Sequence, residues 1–185
     1  MKSRFMAAAV ACLLVSCGGG GGDSGPAVCP GAVTTPPALD ADYAANFVGT
    51  WYGTATLSID GTLADSGQAY THISADGVNR IRLKGDTGSG ALSLVTSPSD
   101  FSMVCNTYVH KIGNCDAVTE TWSTGSGTVV GGVLNLATDG FLEGCGQYYT
   151  VHQELTGATL GAVAAPGAVS LDEVLTRALE GPSAR

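Results

Sequence analysis

Apolar and polar residues alternate with a period of two from residue 47 to residue 59. Phe47, Trp51 and Leu57 fall on one face of this segment, and Thr50 and Thr54 fall on the other. Such alternation is typical of an antiparallel strand with one buried face. It stops at an Asp-Gly pair, residues 60–61, which predicts a hairpin turn.

Similar short segments follow, separated by turn signals. The further predicted strands are residues 68–75, 78–84, 91–96, 101–110, 117–124, 127–138 and 147–155. Gly131-Gly132 predicts a bulge or bend inside one of them, and Asp139-Gly140 predicts the turn after it. About eight short strands predict an all-β fold, a small antiparallel meander barrel or a sandwich, over residues 45–164.

The tail, residues 165–185, has a different pattern. Ser170 and Glu173 form a capping box, and Leu171, Val174 and Leu175 fall on one helical face. The sequence therefore predicts a short amphipathic C-terminal helix, which ends at the Gly-Pro pair of residues 181–182.

The opening residues resemble the signal peptide and lipobox of bacterial lipoproteins. Lys2 and Arg4 precede an apolar segment, residues 5–15, and Leu14-Val15-Ser16-Cys17 follows directly. The resemblance implies that residues 1–16 are removed and that Cys17 carries a diacylglycerol and an amide-linked acyl chain such as palmitate. The alternative is an ordinary signal peptide with an incidental cysteine. Residue 18 is glycine rather than the aspartate that retains enterobacterial lipoproteins at the inner membrane, so we expect an outer-membrane anchor.

Residues 17–44 are rich in glycine and proline and show no period, which predicts a flexible tether between the anchor and the domain. The leader contains two basic residues and no acid. Its removal leaves 6 basic residues and moves the formal net charge from −8 to −10. This charge argues against nucleic acid as a partner and against attraction to anionic headgroups.

Four cysteines lie beyond the lipobox: Cys29, Cys105, Cys115 and Cys145. In an exported domain they predict two disulfides. Three pairings are possible, and we expect Cys105 with Cys115 and Cys29 with Cys145, because the first pair is closest along the chain. A metal site built from the four thiolates is the alternative, but the sequence has no Cys-x-x-Cys spacing.

Gly49-Thr50-Trp51 resembles the Gly-x-Trp motif of lipocalins and related calycin barrels. In that family the tryptophan closes one end of the barrel, and the interior holds an apolar ligand. The resemblance implies a small hydrophobic or amphiphilic ligand near Trp51, Phe47 and Leu57. The alternative is that Trp51 is a core aromatic residue.

Other candidate residues have simpler interpretations. Arg80, Arg82 and Lys84 share one face of a predicted strand and could bind an anion, although pairing with acids or protection of a sheet edge is expected. Three histidines on different predicted strands, His72, His110 and His152, could hold zinc but lack paired spacing.

No catalytic motif with its structural context is present: the Gly-Asp-Ser-Gly at residues 22–25 directly follows the leader, with no barrel before it. We therefore expect a non-catalytic binding or structural module of the cell envelope without cofactor or metal. The alternative is a periplasmic or surface hydrolase whose site is assembled by the fold.

The lipobox predicts the result of one substitution. Cys17→Ser removes the thiol that would be acylated, so the precursor should remain unprocessed. Labelling of growing cells with a fatty-acid analogue checks this. Equal labelling of the variant and the wild type would show that the lipoprotein assignment is wrong.

Overall fold

A computed structural model describes residues 27–84, 90–112, 115–159, 169–170 and 173–174. The predicted signal peptide, the lipobox and residues 17–26 of the predicted tether lie outside these residues. The described strands are β1 Ala27–Val28, β2 Gly49–Ile59, β3 Thr62–Ala75, β4 Arg80–Lys84, β5 Ala91–Val95, β6 Asp100–Met103, β7 Asn106–Ile112, β8 Cys115–Val130, β9 Val133–Gly144, β10 Gln147–Thr159 and β11 Val169–Ser170. One 3-10 turn, η1, spans Ala44–Asn46.

Eight antiparallel strands form a closed ring in the order β2, β3, β4, β5, β6, β8, β9 and β10. Pairing of β10 with β2 closes the ring, from Val151 opposite Ile59 to Thr159 opposite Trp51. β6 pairs with the later part of β8, and β7 pairs with the earlier part. β1 pairs with β7 as a short edge strand. The predicted all-β antiparallel meander is confirmed, and the sheet is barrel-like.

Two turn predictions are wrong. Gly131 and Gly132 are not a bulge within a strand but the hairpin turn between β8 and β9, where both have positive φ. Asp139-Gly140 is not a turn but lies within β9, which continues to Gly144. A Cβ at Gly140 would lie 2.3 Å from the carbonyl oxygen of Thr121, so glycine is needed there for close strand packing.

Little of the predicted C-terminal helix is described. Glu173 and Val174 are helical, and the Glu173 N–H donates to Ser170 Oγ at 3.2 Å, which is the expected N-terminal cap. Val174 is buried in the main core, and β11 runs parallel to β3 beside Ala69 and Tyr70. The remaining residues of the predicted helix lie outside the described part of the chain.

The segment before β2 covers the end of the ring at which β2 begins, which we call the closed end. Asn79, buried with φ 52°, accepts the Tyr43 N–H at 2.8 Å and donates from Nδ2 to Ala41 O at 2.9 Å. Asn46 Nδ2 donates to Pro98 O at 2.9 Å in the β5–β6 turn. These bonds hold η1 across the closed end.

A second apolar cluster lies on the outer face of β5. Leu92 and Leu94 are buried there with Val104, and Val28 and Ala32 pack over them. These two small residues belong to the segment that leads into the ring from the N-terminal side. The cluster therefore joins that segment to the ring wall.

A disulfide fixes this contact. Cys29 is bonded to Cys105 with a Cα–Cα distance of 5.4 Å, and the Cys29 N–H donates to Cys105 O at 3.0 Å. The expected pairing of Cys105 with Cys115 and of Cys29 with Cys145 is therefore wrong. Separation along the chain did not predict the partner of Cys105, because pairing of β1 with β7 brings Cys29 and Cys105 together. Cys145 is also disulfide-bonded, and the side chain of Cys115 lies outside the described residues.

We expect Cys29→Ala combined with Cys105→Ala to lower the free energy of unfolding by about 4 kcal/mol, because this crosslink restricts a long loop in the unfolded chain. The bonded cysteines are 76 residues apart. Urea denaturation without reductant measures the change while the Cys145 disulfide is retained. A loss under about 1 kcal/mol would contradict a stabilising role for the crosslink.

Candidate functional site

Two of the three residues predicted to line a ligand site, Phe47 and Trp51, lie at the closed end of the ring, whereas Leu57 lies near the other end of β2, opposite Gln153. Phe47, Trp51 and Leu57 are all buried in the main core. Trp51 Nε1 donates to Phe47 O at 2.8 Å, and the Phe47 ring meets the Phe101 ring edge to face at 5.3 Å. Phe47, Trp51 and Phe101, packed with η1, form an apolar floor inside the ring.

A polar layer crosses the inner face above this floor. Thr138 on β9 stands opposite Gln153 on β10, and Ser93 on β5 stands opposite Met103 on β6. Ser93, Thr138 and Gln153 are all buried. Among the described residues, Ser93 Oγ and Thr138 Oγ1 have no hydrogen-bond partner. Because buried hydroxyls are normally satisfied, both suit an interior water or a polar ligand group.

A row of larger side chains lies near the opposite end of the ring. Tyr108, Glu120, Leu142 and Tyr149 are in register across β7, β8, β9 and β10. Glu120 and Leu142 are buried, and the two tyrosines are partly buried against the core. This row was not predicted from the sequence, although Glu120 occupies an apolar position of the alternation between Val118 and Trp122.

The two histidines whose side chains are described, His72 and His152, make separate contacts. The described residues contain no group of three or more His, Cys, Asp or Glu side chains that could hold a metal ion. His72 contacts Thr50 Oγ1 through Nδ1 at 3.1 Å, and the side chain of His110 lies outside the described residues.

His152 lies between two carboxylates on the outer face of β10. Its Nδ1 is 2.7 Å from Asp139 Oδ1, and its Nε2 is 3.3 Å from Glu154 Oε1. The hydrogen bond to Asp139 raises the pKa of His152 most, Glu154 adds to the increase, and desolvation opposes it. Because both ring nitrogens face carboxylates, the protonated imidazolium is favoured and neither nitrogen is placed to accept a proton from a nucleophile.

The basic strand face is paired with an acid, as one interpretation expected. Arg80 Nη2 and Arg82 Nε each lie 3.0 Å from a different oxygen of Asp76. Arg82 also donates to Gly90 O at 3.1 Å. These contacts join the β3–β4 turn to β4, and the side chain of Lys84 lies outside the described residues.

Two carboxylates with lowered pKa accept hydrogen bonds that hold loops in place. The pKa of Asp42 is lowered chiefly by the backbone N–H of Asn79. The pKa of Asp100 is lowered by the hydroxyl of Ser97 and then by that of Thr128. Asp42 joins the segment before η1 to the β3–β4 loop, and Asp100 joins the β5–β6 loop to β8, so the ionised forms of both support the closed end of the fold.

Comparison with known proteins gives no assignment. No family model matches this chain, and no curated protein matches it significantly. A crystal structure described as a "putative outer membrane protein" from Bacteroides fragilis is similar at a TM-score of 0.42 and 14% identity. The match covers 64% of this chain and 53% of that chain. Within the described residues, no helix is long and apolar enough to span a membrane.

The contacts of His152 predict a pH-dependent contribution to stability. A histidine whose folded-state pKa is raised stabilises the protein below its unfolded-state value of about 6.5, and this contribution is lost as the pH rises through the folded-state value. His152→Gln should therefore lower the melting temperature at pH 5 and leave it unchanged at pH 9. The energy should stay under about 1 kcal/mol because the group is partly exposed.

Thermal denaturation across this pH range measures the effect. Asp139→Asn is the matched variant, since it removes the main cause of the raised pKa and should reduce the same pH dependence. An equal effect of His152→Gln at both pH values would contradict the charge-based explanation.

Proposed function

We propose that this protein is a non-catalytic lipoprotein of the cell envelope that binds one small amphiphilic molecule inside the ring. The proposal rests on one observation: the polarity of the inner face increases from the closed end to the opposite end. The apolar floor is followed by buried hydroxyls and then by a row with two tyrosines and a glutamate. The interior of an eight-stranded ring is either filled by its own side chains or just wide enough to hold one small ligand.

The two inner ends suit different parts of an amphiphile. The floor at Phe47 and Trp51 offers apolar contacts without an unpaired polar group, because the indole N–H is bonded to Phe47 O. Higher in the ring, Thr138 and Ser93 offer hydroxyls that can donate to or accept from a polar group. The ligand tail would therefore lie toward the floor and its headgroup toward Tyr108 and Tyr149.

Charge favours some headgroups over others. Glu120 is 7% exposed on the inner face, and the mature chain would have a formal net charge of −10. Both features disfavour an anionic headgroup such as that of a fatty acid. Tyrosine rings beside a carboxylate suit a neutral or cationic headgroup.

The anchor would keep this site close to the membrane. The lipobox resemblance implies acylation of Cys17, and the Cys29–Cys105 disulfide attaches the chain to the ring twelve residues later. The tether predicted from the glycine-rich composition would reach about 20 Å. The proposed location is the outer membrane, because the residue that follows Cys17 is glycine rather than aspartate.

His152 is the histidine that contacts carboxylates and could be considered as a general base, but we propose no catalysis there. The residue lies on an outer strand face rather than in a cleft, and both ring nitrogens face acids. A hydrolase would need a nucleophile within hydrogen-bond distance of the base. The nearest carboxylates instead favour a charged, structural imidazolium.

Three amphiphiles with the same twelve-carbon chain test the ligand proposal: laurate, monolaurin and dodecyltrimethylammonium. The Cys17-less chain, residues 18–185, should bind the neutral and cationic compounds more tightly than laurate. Native mass spectrometry counts bound molecules. Trp51→Phe leaves Trp122 as the fluorescent reporter within the ring.

Thr138→Val tests the polar layer, because it keeps the side-chain volume and removes one buried hydroxyl. We expect about tenfold weaker binding, the loss of roughly one hydrogen bond. Ser123→Ala removes an exposed hydroxyl that donates to the Asp139 carbonyl, and it serves as the control for the loss of one hydrogen bond away from the polar layer. No bound mass and no fluorescence change with any of the three compounds would show that the ligand proposal is wrong.

A further inference from the structure

The outer face of the sheet carries a second row of residues near the β9–β10 hairpin. Val109, Thr119, Glu143 and Tyr148 are in register across β7, β8, β9 and β10. Val109 is 70% exposed and Tyr148 is 58% exposed. The row belongs to the opposite face from Glu120 and is separate from the interior of the ring.

Tyr148 is an exposed aromatic ring held in a fixed position. Its ring stacks on that of Phe141, with centroids 5.4 Å apart and planes inclined by 26°. Stacking against a neighbour restricts the ring and reduces the entropy lost when a ligand binds. Exposed tyrosines with this support are common in recognition surfaces because they offer rigid apolar area.

A surface depression of about 570 Å³ lies beside this ring. Thr119, Glu143 and Gln147 line it together with Tyr148. Gln147 lies on the same strand face as Tyr149, and its Oε1 accepts a hydrogen bond from the Tyr149 hydroxyl, so its amide is not counted as part of the outer surface. The depression thus combines one aromatic plane with a hydroxyl and a carboxylate.

The rim of the depression is held by a tight hairpin. Gly144 and Gly146 line the depression without side chains. Cys145 and Gly146 form the turn with φ values of 50° and 74°, which suit a two-residue hairpin. Cys145 is disulfide-bonded, which further restricts the rim. The depression is therefore preorganised.

We propose that this depression binds the pyranose ring of a neutral saccharide. A pyranose with equatorial hydroxyls has an apolar C–H face that fits an aromatic ring, and a polar edge that bonds to carboxylates and hydroxyls. Glu143 and the strongly negative chain disfavour acidic sugars. This site is independent of the proposed interior ligand.

The test uses the mature lipidated protein in a detergent without a sugar headgroup. Cellotriose and triacetylchitotriose are neutral probes, and trigalacturonic acid is the acidic comparison. Saturation-transfer NMR and calorimetry should give dissociation constants of about 1 mM or below for at least one neutral probe. The acidic probe should bind at least about tenfold more weakly.

Variants locate the site. Tyr148→Ala should weaken binding at least about tenfold, whereas Tyr148→Phe keeps the ring and should retain it. Glu143→Gln should admit the acidic trisaccharide. Val109→Ala is the matched control, because it lies in the same row but does not line the depression.

Three results would overturn the proposal. The first is the absence of binding by every neutral probe, and the second is binding that Tyr148→Ala leaves unchanged. The third is a dimer of the lipidated protein that Tyr148→Ala converts to a monomer, which would make this surface an interface between two copies of the chain.

Discussion

Close approach of β2 and β10 at one pair of glycines allows the sheet to close, and the rest of the structure depends on it. Gly53 and Gly157 stand opposite each other in this pairing. A Cβ at Gly53 would lie 1.9 Å from Thr156 O, and one at Gly157 would lie 2.4 Å from Tyr52 O. Because the first and last strands of the ring meet here, neither remains an unpaired edge. Closure also separates an inner face from an outer one, and each proposed site belongs to one of these faces.

The N-terminal segment is bonded to this ring at two places. At the closed end, Asn79 and Pro98 hold the residues around η1 beneath the floor. On the wall, the Cys29–Cys105 disulfide and the contacts of Val28 cover the outer side of β5. A buried strand with apolar residues on both faces, as β5 is, needs such a cover. The chain that would lead to the lipid anchor is thus part of the structure of the domain.

The two proposed sites use side chains differently. Inside the ring, the polar groups are few and buried, so each unpaired hydroxyl has a large effect on which molecule can enter. On the outer face, Tyr148 and its neighbours are exposed to water, so binding there must rely on a rigid aromatic plane and several weak polar contacts. An anchored protein with both sites could hold an amphiphile and a glycan, two components of an envelope, at the same time.

The sequence by itself determined the all-β class, most strand positions, the Asp60-Gly61 turn and the inward direction of Phe47, Trp51 and Leu57, because a period of two and turn dipeptides are local signals. Only the tertiary structure decided that Gly140 continues a strand, that Cys29 meets Cys105, and that Glu120 and Tyr148 stand in rows on opposite faces. These features depend on which strands pair and in which register. A hairpin turn fixes register only between the two strands that it joins, whereas these features depend on pairings between residues far apart in the chain.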